Sequence, residues 1–205
     1  MISPMKHKHL ITFKSAVVVA WALGTFLFIY FWPHFVSNHF KRAIVDQGFG
    51  AGPIPINTFY TEPPKLFAEP LRTALPHGSS NLATVGVNHD TLLTGGWLNL
   101  SKGPQVLHVP DFSGRYYNVQ FTDPFDVDFA YVGTRTTGTQ AGDYLITGPG
   151  WQGSVPQGMK QISSPDNSVL VLGRILVYND GDLPTAYNLA KQIQVVPLAT
   201  RQPSQ

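Results

Sequence analysis

The chain has 205 residues, room for a short anchoring segment and one domain but not for two ordinary domains beside such a segment. Only 13% of residues are charged and 12% are aromatic, which argues against a disordered polymer, and 19 glycines and 17 prolines disfavour a long helical bundle. With no cysteine, disulfide frameworks, thiolate metal sites and cysteine nucleophiles are excluded.

Residues 1–15 form a basic tail. From Ala16 to Val36 there follow 21 residues without Lys, Arg, Asp or Glu. As a helix this stretch reaches roughly 32 Å, about one hydrocarbon core, so 16–36 is expected to cross the lipid bilayer. Tyr30, Trp32 and Pro33 crowd its far end, where aromatic rings favour the interface and Pro33 is expected to break the helix. Lys6, Lys8 and Lys14 precede the span and Lys41 and Arg42 follow it, a bias that places the N-terminus in the cytoplasm. A cleaved signal peptide is the rival reading, but its apolar region is normally about 7–15 residues long with a small-residue site behind it. The expected location is the cell inner membrane, single-pass, with the remainder periplasmic or extracellular.

Beyond the anchor, residues 43–205 hold nine basic and twelve acidic side chains, a net charge of −3. The overall +2 therefore belongs to the membrane flanks. The nine cations are scattered, so no nucleic acid is expected as a partner. Residues 43–84, punctuated by Gly48, Gly50, Gly52 and six prolines from Pro53 to Pro76, read as an extended arm. Its Phe49, Ile54, Phe59, Leu66 and Phe67 suggest an arm that packs partly on the domain.

Residues 85–198 carry short β-rich runs centred near 95, 107, 118, 131, 145, 161 and 174, with turn chemistry between them. Tyr117, Val119 and Phe121 alternate with Asn118 and Gln120, as in a sheet with one wet face, whereas Val169 to Tyr178 is apolar enough for a central strand. Over Asp182–Gln194 the period changes to that of a helix capped by Asp182, and Val195–Leu198 is extended again. Residues 199–205 form a loose tail. The expected fold is all-β: an antiparallel sandwich or barrel-like domain with one C-terminal helix, preceded by a single transmembrane helix.

Asn88-His89-Asp90-Thr91-Leu92, Gly96-Trp97-Leu98-Asn99, Val109-Pro110-Asp111, Gly114-Arg115-Tyr116-Tyr117 and the string from Gly133 to Trp151 resemble the domain of unknown function 1254 family. Longer bacterial members carry a second all-β domain, domain of unknown function 1214, after it. The resemblance implies a stand-alone half that pairs with a separate protein carrying that second domain. It implies a fold and brings no reaction with it.

Gly148-Pro149-Gly150-Trp151-Gln152-Gly153 matches a dinucleotide glycine pattern, but no helix is predicted after it, so no cofactor is expected. Asp123, Asp126 and Asp128 lack the glycine and distal glutamate of a calcium loop and read as a polar turn, and no metal site is expected. Acid/base chemistry finds its candidates in Asp90, Asp143 and Arg135, with His89 and Arg115 nearby, set against turn capping and an Arg135–Asp143 ion pair. Asn88, His89 and Trp151 are the candidate binding residues, Trp151 as a stacking platform, while Trp97 is expected in the core. The leading reading is a membrane-anchored binding or assembly module, with the balance leaning away from catalysis, and the alternative is an envelope glycan- or lipid-acting enzyme using Asp90 and Asp143.

Overall fold

The computed structural model describes residues 4–47, 52–61 and 90–200, with Asn88, His89, most of the proposed arm and residues 201–205 outside them. The chain divides into two units, residues 1–40 and 41–205. The first unit is helical: α1 runs Pro4–Gln47 and carries into the second. Trp21, Leu23, Phe26 and Phe31 point in four directions around the axis, and all are more than half exposed. Lys14–Asp46 is the one helix, among the described residues, that is long and apolar enough to cross a membrane. Such an N-terminal helix serves as a signal anchor or a signal sequence.

The break expected at Pro33 does not occur, because the helix passes straight through it. A proline forfeits one backbone hydrogen bond, while the turns on either side keep theirs over a helix of this length. The helix also extends into the stretch read as arm. Ile44 is buried there with Val45 packed beside it, covered by Trp97, Leu170 and Leu172 of the second unit, so tertiary contact sustains the last turn.

Among the described residues the second unit contains nine strands: β1 Tyr60–Thr61, β2 Thr91–Asn99, β3 Gln105–Val109, β4 Tyr117–Thr122, β5 Asp128–Gly133, β6 Gly142–Thr147, β7 Lys160–Ser163, β8 Ser168–Leu176 and β9 Gln194–Pro197. One sheet has five strands in the order β1-β2-β8-β4-β5, and the other has four in the order β7-β6-β3-β9. All seven predicted strand centres fall within strands, and β8 is central as its apolar run requires. The two sheets, the C-terminal helix and the long apolar N-terminal helix are as expected, and the description as all-β and antiparallel is adjusted on two counts. Helix and strand are mixed by count, and β6 and β7 pair in parallel. A parallel neighbour needs a crossover of about a dozen residues, and the Gly/Pro-rich stretch 148–159 provides one where the sequence suggested only a turn.

Alternation along the strands sends Leu92 and Leu98 of β2, Val119 and Phe121 of β4 and Val171 and Ile175 of β8 into one buried cluster with Leu107, Tyr144 and Ile146 of the second sheet. Helix α2, Leu183–Ala190, closes this core through Leu183, Ala186 and Ala190. It is shorter than predicted because the chain must turn to place Ile193 inside and start β9 at Gln194. Its first-turn polar group also differs: Asp182 makes no capping bond, and the Asn179 side chain instead accepts from the Asp182 N–H.

The opposite face of β2 and β8 exposes a second seam. Trp97 is buried, as expected, but away from the main core: it lies beneath Ile44, and its Nε1 donates to Ser168 Oγ at 2.7 Å. Residues 52–61 strap this edge. Asn57, at φ 64°, donates its N–H to the Trp97 carbonyl and accepts from the Asn99 N–H. Gly96 is required beneath that strap, since a Cβ there would run into the Thr58 carbonyl.

Candidate functional site

Three regions of the second unit gather polar side chains. The first joins the strand ends to α2. Arg115, only 9% exposed, lays its guanidinium on Asp182 through two hydrogen bonds of 2.6 and 2.7 Å and donates a third to the Leu176 carbonyl at 2.7 Å. The Tyr178 N–H donates to the same carboxylate at 2.9 Å, and the Tyr178 ring lies 4.7 Å from the guanidinium carbon. The bond to Arg115 holds the Asp182 carboxyl below the usual carboxylate range, and the same bond raises Arg115 further above its ordinary value. Every strong donor and acceptor here is spent inside the protein, so the region is a clamp between sheet and helix.

The second region is a cross-strand pair. His108 on β3 stands opposite Asp143 on β6, and Nδ1 lies 2.8 Å from Oδ1. The partner of Asp143 is thus His108 and not Arg135. Both side chains are partly exposed, at 35% and 23%. Asp90 is exposed just before β2, where its carbonyl accepts the Val177 N–H at 2.7 Å. Among the described residues no hydrogen bond or ion pair links Asp90, Asp143 or Arg135 to one another. No group of three His, Asp or Glu residues is gathered as metal ligands would be, among the described residues.

The third region is a depression of about 240 Å³ on the outer side of β4 and β5, lined by Tyr116, Asn118, Tyr131, Gly133, Arg135 and Thr136. The β4–β5 turn positions its walls. Asp123 Oδ1 accepts the N–H groups of Phe125 and Val127, and Asp126 takes φ 64°, so this carboxylate run is the polar turn its spacing suggested. Asp128 accepts from Thr122 Oγ1 and from the Tyr131 hydroxyl, both at 2.6 Å. Being a donor to that carboxylate raises the Tyr131 phenol above its ordinary range. At the far end the chain crosses closely: a Cβ on Gly133 would sit 2.5 Å from the Tyr117 carbonyl oxygen and 2.9 Å from the Asn118 Cα. Arg135 then folds over the Tyr116 ring, 5.7 Å from its centroid.

Trp151 lies elsewhere, half-buried beside Leu100, Pro104 and Asn167 in an open hollow of about 300 Å³, with Gly153 directly against its ring. No helix follows the glycine pattern around it, so the geometry for a dinucleotide phosphate is missing. Of the acid/base candidates within the described residues, Arg135 lines a depression with aromatic walls. Its neighbours Asn118 and Tyr131, and the partnership of His108 with Asp143, depend on strand register. The only local signal for them was the polar–apolar alternation of β3 and β4.

Residues 70–197 match the family described as protein of unknown function (DUF1254). The fold is similar to that of the VPA0106 protein from Vibrio parahaemolyticus, with a TM-score of 0.61 and 25% identity over 86% of this chain and 40% of that one. The chain therefore spans about 40% of the length of that protein. A putative uncharacterized protein from Burkholderia cenocepacia is matched at 13% identity and a TM-score of 0.39, over 71% of this chain and 36% of that one. No curated protein matches the sequence. The family match takes in over half of the residues and every described strand except β1, and the chain belongs to the DUF1254 family.

Proposed function

We propose that this chain is a single-pass membrane-anchored module of the cell envelope, with a cytoplasmic N-terminus and a β-domain in the periplasm or outside the cell, that binds a second membrane protein. The observation that carries the reading is the state of the β4–β5 hairpin. Among the described residues β5 is an outermost strand of its sheet, and the side chains of Phe125 and Val127 on its approach turn are 53% and 56% exposed. Apolar side chains beside an open sheet edge favour a covering partner. The sparse charge of the domain, 21 charged residues among positions 43–205, supports the same view, because interface centres are depleted of charge. The proposed partner carries domain of unknown function 1214, the half that follows this one in longer family members. The enzyme reading on Asp90 and Asp143 draws less support, since Asp143 is already engaged by His108.

The test is co-purification in mild detergent with a tagged protein bearing that second domain. The complex is expected with the native chain and lost with Phe125→Ser/Val127→Ser, whereas a free monomer in both cases overturns the proposal. Orientation is tested separately. Because the chain has no cysteine, Ser101→Cys provides a single label site, and its modification by an impermeant maleimide on intact spheroplasts is expected. Labelling only after lysis reverses the topology.

A further inference from the structure

We propose that the depression on the outer face of β4 and β5 binds an acidic sugar, its carboxylate held by Arg135 with Arg174 on the same sheet face adding positive charge, and its ring laid on Tyr131. Strand register brings these groups together. Asn118 of β4 stands opposite Arg174 of β8 on one side and Gly133 of β5 on the other, so Arg174 and Asn118 share the sheet's outer face as direct neighbours. Gly133 adds no side chain to that row, which leaves the depression open between Asn118 and Arg135. Arg174 of β8 and Arg135, in the turn that follows β5, therefore lie on either side of the Asn118 strand.

The chemistry at this point is unspent. Among the described residues neither Arg135 nor Arg174 has a carboxylate partner or a hydrogen bond, and the Asn118 amide has none either. Both arginines are exposed. The carboxylate on β5 does not neutralise them, because Asp128 is engaged by Thr122, Tyr131 and, at 3.3 Å, the Gln120 amide. That engagement also fixes the Tyr131 hydroxyl while its ring stays 42% exposed. A planar guanidinium matches a carboxylate, an amide addresses a hydroxyl, and a rigid exposed phenol ring offers its face to the C–H side of a pyranose. A volume of about 240 Å³ lies below the roughly 300–1,000 Å³ of sites for drug-sized ligands and suits a single ring. A phosphate or a simple carboxylate would use the arginines and leave Tyr131 idle.

The experiment is saturation-transfer NMR on the full chain in detergent with D-glucuronate as the probe and D-glucose, acetate and inorganic phosphate as controls. Glucuronate is expected to receive saturation on its ring protons, with glucose bound at least about tenfold more weakly for lack of the charge-assisted bonds. Arg135→Ala should weaken glucuronate about tenfold, and Arg135→Lys should restore only part of the loss because the fork is missing. Tyr131→Ala should remove the transfer to ring protons. Thermal melting of each variant checks that the domain is folded, and the competition among probes on the native chain needs no variant at all. Glucose binding as well as glucuronate, acetate or phosphate displacing glucuronate at equal concentration, or undiminished binding by Arg135→Ala/Arg174→Ala would each overturn the proposal.

Discussion

Arg115 and Arg135 both rest against a tyrosine ring, yet they lie in regions of opposite character. Around Arg115 the guanidinium, the Asp182 carboxylate and the Leu176 carbonyl satisfy one another at 2.6–2.7 Å with little access to water. Arg135 rests on the face of Tyr116, is exposed, and among the described residues its guanidinium makes no hydrogen bond or ion pair. A buried cation without its anion is costly, so the first arrangement ties the sheet to α2 and tolerates little change. An exposed cation costs almost nothing to hold, so the second can be kept available. Residue type alone does not separate an arginine that holds a fold together from one that meets a ligand; the state of its hydrogen bonds does.

The contrast should appear first in stability. Arg115→Ala is expected to lose about 3–5 kcal/mol by leaving Asp182 desolvated and unpaired, whereas Arg135→Ala should stay within about 0.5 kcal/mol, both read from urea unfolding. Equal losses would erase the distinction. Trp97→Ala should cost a comparable 3–5 kcal/mol, because the cavity would open under the last turn of α1. Gly133→Ala, at the wall of the open depression, should cost about 1–3 kcal/mol through the clash with the Tyr117 carbonyl. Acid should separate the regions by a smaller margin. The Asp182 carboxyl is held below its unfolded value of about 3.9, so its contribution is complete above that pH and fades as pH falls through the lower folded value. Melting temperature measured from pH 5 downward should therefore fall less steeply in Asp182→Asn than in the native protein, while Arg135→Ala should follow the native curve.

Much of the fold could be read from local pattern. Tyr117, Val119 and Phe121 alternate with polar residues, and each enters the core as the alternation required. The apolar run around Val171 marked the central strand, since a strand flanked on both sides needs little polar surface. What escaped were relations between distant residues. Asp143 suggested a charge partner, but which residue stands opposite it is set by the β3–β6 register, and that brought His108 and not Arg135. Asp182 looked like a helix cap until Arg115, 67 residues away, claimed its carboxylate. The parallel β6–β7 pair was hidden because a loop rich in glycine and proline reads the same whether it reverses the chain or carries it across a sheet edge. Arg135 was recognisable as a candidate from its turn; the depression it lines with Asn118 and Tyr131 depends on strand register.

The pairing of β2 with β8 also sets a timetable. Thr91 lies opposite Leu176 and Asn99 opposite Ser168, so apart from the two-residue β1, the strand made early waits for one made near the end of synthesis. The four-stranded sheet waits longer still, because β9 is the last strand of the chain and pairs along β3. Contacts this distant in sequence form slowly and only after most of the polypeptide exists. On the topology proposed above, a chain whose N-terminal helix engages the membrane first would reach the far side with its domain still unfolded, in the state a translocation channel accepts.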